Sequence, residues 1–344
     1  MLQAEVGDDV YGEDPEINRL QEEAARLVGK EAALYVCSGT MGNLSAVLAH
    51  CNVRGSEVIV GDQSHVYQYE ASGISVLGGI GFNVLRNTPD GQLLLDDIKQ
   101  AIRPEDQHSA VTRCICIETT HNRCGGAVLP LPYLRDLYAL AQSKGLAVHM
   151  DGARMFNAAT ALGAPITEIT ACADSVQFCL SKGLGAPAGS MVAGSKKFIA
   201  QVHKLRKMLG GGQRQIGVLA APGRIALNEM TNRLQEDHDN AQLLAKEIAT
   251  MPNASLDPGT VQSNIIVFHV QYPYTPSAVV DALKRQGVLA IPFKGGVRMV
   301  THFDVSREDC EAACKALKQV LSKPLAEQNG HANGGAQNGG AYGH

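Results

Sequence analysis

Residues 146–154 read LAVHMDGAR, an apolar run that stops on Asp151-Gly152-Ala153-Arg154. A short apolar run closed by a carboxylate and a glycine reads as a buried strand giving way to a turn. A stretch of the same build follows at 175–185, SVQFCLSKGLG, where the strand-like run Ser175–Leu180 passes into Ser181-Lys182-Gly183. Outward from this pair, further strand-like runs lie at Ala32–Cys37, Glu57–Val60, Phe82–Leu85, Arg113–Glu118 and Ser190–Ala193, with helical stretches such as Leu131–Ser143 between them. Strands separated by helical segments predict an α/β domain with a mostly parallel central sheet covered on both faces. Ahead of the first strand, Asp14 as N-cap, Pro15 at the first helical position and Gly29 at the end bracket a helix.

In such sheets ligands bind beyond the carboxyl ends of the strands. The residues just past those ends are Ser38-Gly39-Thr40, His65, His121, Asp151 with Arg154, and Ser181-Lys182. From about Met208 the pattern changes. A Gly210-Gly211-Gly212 turn precedes long helical stretches to about Thr250. Then come a strand at Asn264–Val270, a helix at Pro276–Gln286, short strands near Val288–Ile291 and Val297–Thr301, and a helix from Ser306. These suit a small α+β domain. The expected division is a large domain over 1–235, a small C-terminal domain over 236–323, and a tail over 324–344. From Glu327 the tail is mostly Gly, Asn, Gln, Ala and His, too poor in apolar surface to offset its ordering entropy, so it is expected to be disordered.

Net charge is −4, without the basic excess of a dedicated nucleic-acid binder, so no nucleic-acid partner is expected. No apolar run reaches membrane-spanning length, and the acidic start MLQAEVGDDVYGEDP lacks the apolar core of a signal peptide. The nine cysteines are odd in number and lack CxxC pairs, which suits reduced thiols in the cytoplasm.

The chemistry gathers at Lys182. A lysine at a strand end among small residues can approach a flat cofactor and form an imine with an aldehyde; it is equally a solvated loop residue. Asp151 can accept a pyridinium N–H or cap the next helix. Arg154 can grip a carboxylate or pair at the surface. Gly39 and Thr40 open a helix, where backbone N–H groups favour phosphate. The segment is not GxGxxG, which counts against a dinucleotide. His65 can stack on a ring, and His121 can serve as a general base. His65, His121, His149 and Asp151 lack metal-site spacing such as HExxH, so no metal is expected.

Together these segments resemble the L-threonine aldolase family of fold-type-I, aspartate-aminotransferase-like enzymes dependent on pyridoxal phosphate. The stretches that carry the resemblance are VGDDVYGEDP, SGTMGN, ETTHN, VHMDGAR, CLSKGLGAPAGS, RKMLGGGQRQIGVLAA, RLQEDHDNA and VRMVTHFDVS. It implies aldol cleavage of L-threonine and L-allo-threonine to glycine and acetaldehyde. It implies Lys182 as the Schiff-base lysine, Asp151 as the pyridinium partner, His65 as the stacking histidine and Gly39 with Thr40 as the phosphate turn. Lys207 and Arg214 would help surround the cofactor, Arg154 and Arg298 would contact a carboxylate, and His121 would lie near the substrate hydroxyl. Tyr11 would be lent across the interface of a homodimer or homotetramer with shared sites. Another fold-type-I lyase or a hydroxymethyltransferase-like enzyme is the competing expectation. The family's usual opening segment, similar to DLRSDTVTxP, has no counterpart ahead of Val6, which leads to an expectation of weak threonine cleavage.

Overall fold

Strands apolar on both sides need cover on both sides, and the sequence supplies it in alternation. Ile115 and Ile117 join one core cluster, with Leu134 and Leu137 of the following helix. Cys114 and Cys116, alternating with them in sequence, join the opposite cluster, with Leu44, Val47 and Leu48. The period-two alternation of a strand thus feeds two helical layers.

The computed structural model describes residues 1–322, and the chain divides into two compact units, Met1–Gln235 and Glu236–His344. The tail expected from residue 324 lies outside the described residues. In the first unit the strands are β1 (Ala32–Val36), β2 (Ser56–Gly61), β3 (Gly81–Leu85), β4 (Val111–Glu118), β5 (Ala147–Asp151), β6 (Ser175–Cys179) and β7 (Ser190–Gly194). They form one sheet in the order β1-β7-β6-β5-β4-β2-β3. The pairs β2–β3, β2–β4, β4–β5 and β5–β6 are parallel, and β7 is antiparallel to β6 and β1. The fold is that of the expected fold-type-I class.

The helices are α1 (Pro15–Leu27), α2 (Gly39–His50), α3 (His65–Gln68), α4 (Gly73–Gly78), α5 (Leu95–Ala101), α6 (Leu131–Ser143), α7 (Met155–Leu162), α8 (Ile166–Thr170), α9 (Lys196–Met208) and α10 (Gly217–Asn228). Asp14 caps α1 by accepting from Ile17 N at 3.1 Å, and also accepts from Gly217 N of α10 at 2.8 Å. Ser38 caps α2 by accepting from Met41 N at 3.1 Å. Residues Gly42 through Ala49 of α2 are buried, so this helix runs through the core rather than along its edge.

The antiparallel β7 follows from the connection before it. Only residues 180–189 separate β6 from β7, too few for a crossover helix, so the chain turns back directly. Gly189 closes this loop at φ 97°, and a Cβ there would stand 2.3 Å from the Tyr35 ring. No other residue meets both demands.

The second unit begins along α11 (Leu234–Ala249) and adds β8 (Ala254–Ser255), β9 (Ile265–Val270), α12 (Pro276–Lys284), β10 (Ile291–Phe293), β11 (Gly296–Val300) and α13 (Arg307–Ser322). Its antiparallel sheet has the order β10-β11-β9-β8. One expectation changes here. The strand placed near Val288–Ile291 begins only at Ile291, because it is half of a hairpin whose turn is Lys294-Gly295. Both turn residues have left-handed φ, 49° and 76°, as a tight turn between right-twisted strands requires. The two-residue β8 is too short to leave a periodic signal.

Candidate active site

The strand register sets the stage. Glu118 and Asp151 are the last residues of β4 and β5 and are paired across the ladder, and Asp151 is paired with Gln177 of β6. Five residues beyond Gln177 comes Lys182, on the loop to β7. Three neighbouring strands thus end on chemically active side chains at one edge.

Asp151 is 2% exposed. Its Oδ1 accepts from Ala153 N at 3.1 Å and its Oδ2 from Asn43 Nδ2 at 2.9 Å. The same Asn43 Nδ2 donates to Glu70 Oε1 at 2.8 Å, and Glu70 Oε1 lies 2.9 Å from His65 Nδ1. Burial alone would lower the His65 pKa, but Glu70, Asp151 and Glu118 outweigh it and raise it. Burial, with Asp151 nearby, raises that of Glu70 against the pull of His65 and Asn43. His65, Glu70 and Asp151 have ligand-type atoms within 4.8 Å of one another, a spacing a metal ion could use. A donor, Asn43 Nδ2, sits between the two carboxylates where a cation would have to stand.

Glu118 ties down two loops. Its Oε2 accepts from His65 N at 2.7 Å and its Oε1 from Asn122 N at 2.9 Å. His121, 1% exposed, has its Nδ1 3.8 Å from Glu118 Oε1, and among the described residues neither ring nitrogen has a hydrogen-bond partner. Arg154 stands at the N-terminus of α7. Burial pushes its guanidinium pKa down while Cys179, Glu118 and Asp151 pull it back up. Lys182 is half-buried, and among the described residues its ammonium makes no hydrogen bond or ion pair. Gly39 starts α2 hard against β6: a Cβ there would meet Cys179 Sγ at 3.1 Å and Gln177 Nε2 at 3.2 Å. The amides of Gly39 and Thr40 lie in the first turn, ahead of the helix's own hydrogen bonds.

Other expected residues meet elsewhere. Tyr11, 71% exposed, lies under the Arg214 guanidinium at 5.7 Å, and Arg214 Nε donates to Asp8 Oδ2 at 2.8 Å. Lys207 is exposed in the last turn of α9. Arg298 belongs to the second unit, where it is buried on β11 with its guanidinium 5.7 Å from the Phe293 ring centroid. Sequence reasoning missed Asn43, Glu70 and Glu118. Glu118 was legible as a carboxylate ending a strand; Asn43 and Glu70 are polar residues whose partners are distant in sequence.

A family model described as beta-eliminating lyase matches residues 1–271. Over 330 residues the chain is 45% identical to the probable low-specificity L-threonine aldolase 2 of Arabidopsis thaliana, covering 93% of this chain and 92% of that one. The chain belongs to the L-threonine aldolase branch of the beta-eliminating lyases. The low specificity L-threonine aldolase of Escherichia coli is 45% identical over 325 residues, with 94% of each chain covered. In fold, this aldolase-family chain resembles a putative L-allo-threonine aldolase of Listeria monocytogenes, with a TM-score of 0.77 and 21% identity over 93% of this chain and 89% of that one.

The cofactor of this lyase is pyridoxal phosphate. The edge described above suits such a molecule. It offers the Lys182 amine, which has no partner among the described residues, a buried carboxylate, a half-buried guanidinium, helix-start amides, and a buried histidine whose ring nitrogens have no hydrogen-bond partner among those residues.

Burial of His149, two residues before Asp151 on β5, makes the fold acid-sensitive. His149 is wholly buried, and burial, with His50 adding to it, pushes its pKa down to about 3. A depressed histidine contributes fully above its unfolded pKa of about 6.5, and stability is lost as pH falls below that value. Between pH 7 and pH 5 the folded state is expected to lose about 2 kcal/mol through this group. Denaturant midpoints of wild type and His149→Gln should therefore draw together by that amount on acidification. A gap that stays constant would refute the assignment.

Proposed function

We propose that this chain uses His121 and Lys182 to cleave L-threonine and L-allo-threonine between Cα and Cβ, giving glycine and acetaldehyde. The observation that carries this reading is the buried His121, whose two ring nitrogens have no hydrogen-bond partner among the described residues. A buried imidazole left open is costly unless a ligand group completes it, and a β-hydroxyl is such a group.

Bound pyridoxal phosphate supplies an electron sink for the pair left on Cα when the bond breaks. In our reading Lys182 would hold it covalently through its ε-amine, and the Gly39 and Thr40 amides would take its phosphate. His65 would lie against its ring, and Lys207 and Arg214 would reach the cofactor of a neighbouring subunit. Asp151 keeps an acceptor toward the ring nitrogen, because Asn43 and Ala153 hold the carboxylate in place. Arg154 draws in the substrate carboxylate. His121 takes the proton from the β-hydroxyl oxygen as the C–C bond opens.

The exposed Tyr11 with its Asp8–Arg214 pair supports a homodimer or homotetramer in which this corner completes a neighbour's site. Nine free cysteines support a cytoplasmic protein. No described helix is long and apolar enough to cross a membrane.

The test is product analysis on the purified holoenzyme. Acetaldehyde and glycine should form in equal amounts from both threonine isomers. Keto acid and ammonia without acetaldehyde would instead establish an eliminating lyase.

A further inference from the structure

Behind Asp151 runs a file of polar side chains that the reaction above leaves unused. Asn43 of α2 is 1% exposed and sends its Nδ2 to both Asp151 and Glu70. Its Oδ1 faces His149 Nε2 at 3.0 Å. His149 Nδ1 meets Ser175 Oγ at 2.8 Å, and the same oxygen meets His50 Nε2 at 2.7 Å. His50 is half-buried, stacks on Phe198 at 4.5 Å, and lines a cleft of about 490 Å³ with Asp174 and Lys197.

Chemistry fixes the direction of every bond in the file. The carboxylates accept, so the amide nitrogen of Asn43 must face them and its oxygen must face His149. That oxygen needs a donor, so His149 carries its hydrogen on Nε2. Nδ1 is then an acceptor, Ser175 donates to it, and the Ser175 oxygen accepts from His50 Nε2–H. Burial favours the neutral imidazoles this order requires, at His50 as at His149. All the donors point toward Asp151 and Glu70. Both Asn43 polar atoms and both His149 nitrogens are satisfied. Filling space behind a carboxylate would need only apolar side chains, so a fully satisfied, one-way file calls for a polar reason.

We infer that His149 is a positioning residue for the aldol cleavage: acting through Asn43, it fixes the orientation and negative charge of Asp151, while Ser175 and His50 lock its tautomer. The inference rests on Asp151 serving as the partner of the cofactor's ring nitrogen.

The test compares holoenzyme variants His149→Leu, His149→Gln, Ser175→Ala and Asp151→Asn, reading kcat and KM for L-threonine and the dissociation constant of pyridoxal phosphate. It adds the tautomer of His149 by nitrogen-15 NMR. His149→Leu should lower kcat by about tenfold or more, the scale of a lost hydrogen bond to a charged network, with KM within about twofold. It should also weaken cofactor binding. His149→Gln keeps a donor toward Asn43 and should recover kcat to within about threefold of wild type. NMR should find the Nε2–H tautomer in wild type and a mixture in Ser175→Ala, a readout that holds even where His149→Leu does not fold. An Nδ1–H tautomer in wild type, or full kcat in His149→Leu while Asp151→Asn is crippled, overturns the inference alone. Full kcat in Asp151→Asn removes the reading of Asp151, and the inference with it.

Discussion

Lys182→Ala is expected to abolish the visible absorbance of the bound cofactor and to lower turnover by on the order of a thousandfold or more, the scale on which loss of a covalent catalytic group acts. Alanine keeps the loop and removes the only group there that can form an imine. Because the ammonium of Lys182 makes no hydrogen bond or ion pair among the described residues, the fold should hardly notice. A stability change within about 0.5 kcal/mol is expected, as for a substitution away from packed features. Large loss of function with unchanged stability is the signature of a side chain kept for chemistry. Borohydride reduction and peptide mapping of wild type should place the label on Lys182; a label on Lys207 would move the attachment point and end this assignment.

Asp151→Asn is expected to leave the cofactor attached and to lower kcat by roughly ten- to 150-fold, the equivalent of about 1.5–3 kcal/mol for a hydrogen bond to a charged group. The same change disturbs the fold. Asp151 accepts on both oxygens, from Ala153 N and from Asn43 Nδ2. An asparagine must turn an NH₂ toward one of those two donors, leaving a buried N–H without a partner at a cost of about 1–3 kcal/mol. Kinetics and denaturation should therefore both respond, unlike at Lys182. Turnover near wild type would take Asp151 out of the reaction.

The elements legible in the sequence are those whose signal is local. The strands ending at Glu118, Asp151 and Cys179 announce themselves by apolar runs bounded by turns, and α1 and α2 by Asp14 and Ser38 at their caps. The antiparallel setting of β7 was not written in any window, because it depends on which strand β7 joins. Within the site, Lys182 and Asp151 could be picked out since each sits just past or at a strand end. The Asn43 clamp could not. Its partners lie 27, 106 and 108 residues away, and nothing in SGTMGN says which way the amide looks. His149 was visible only as a strand residue alternating with Asp151 and as a member of a metal set that lacked the right spacing. Its hydrogen bonds to Asn43 and Ser175 became apparent once α2 lay across the sheet.

The short return from β6 to β7 limits how this enzyme can be re-engineered. The ladder pairs Cys179 with Ser190 and Phe178 with Met191, Leu180 N is bonded to Gly189 O at 3.0 Å, and Gly189 is pressed on Tyr35. The segment bearing Lys182 is thus pinned at both feet. One added or deleted residue would have to be absorbed within the span itself, since sliding the ladder by one position would turn every buried side chain of β7 to the opposite face. Chimaeras that exchange this segment with a relative should therefore be spliced at matched length, with the glycine at its downstream foot retained.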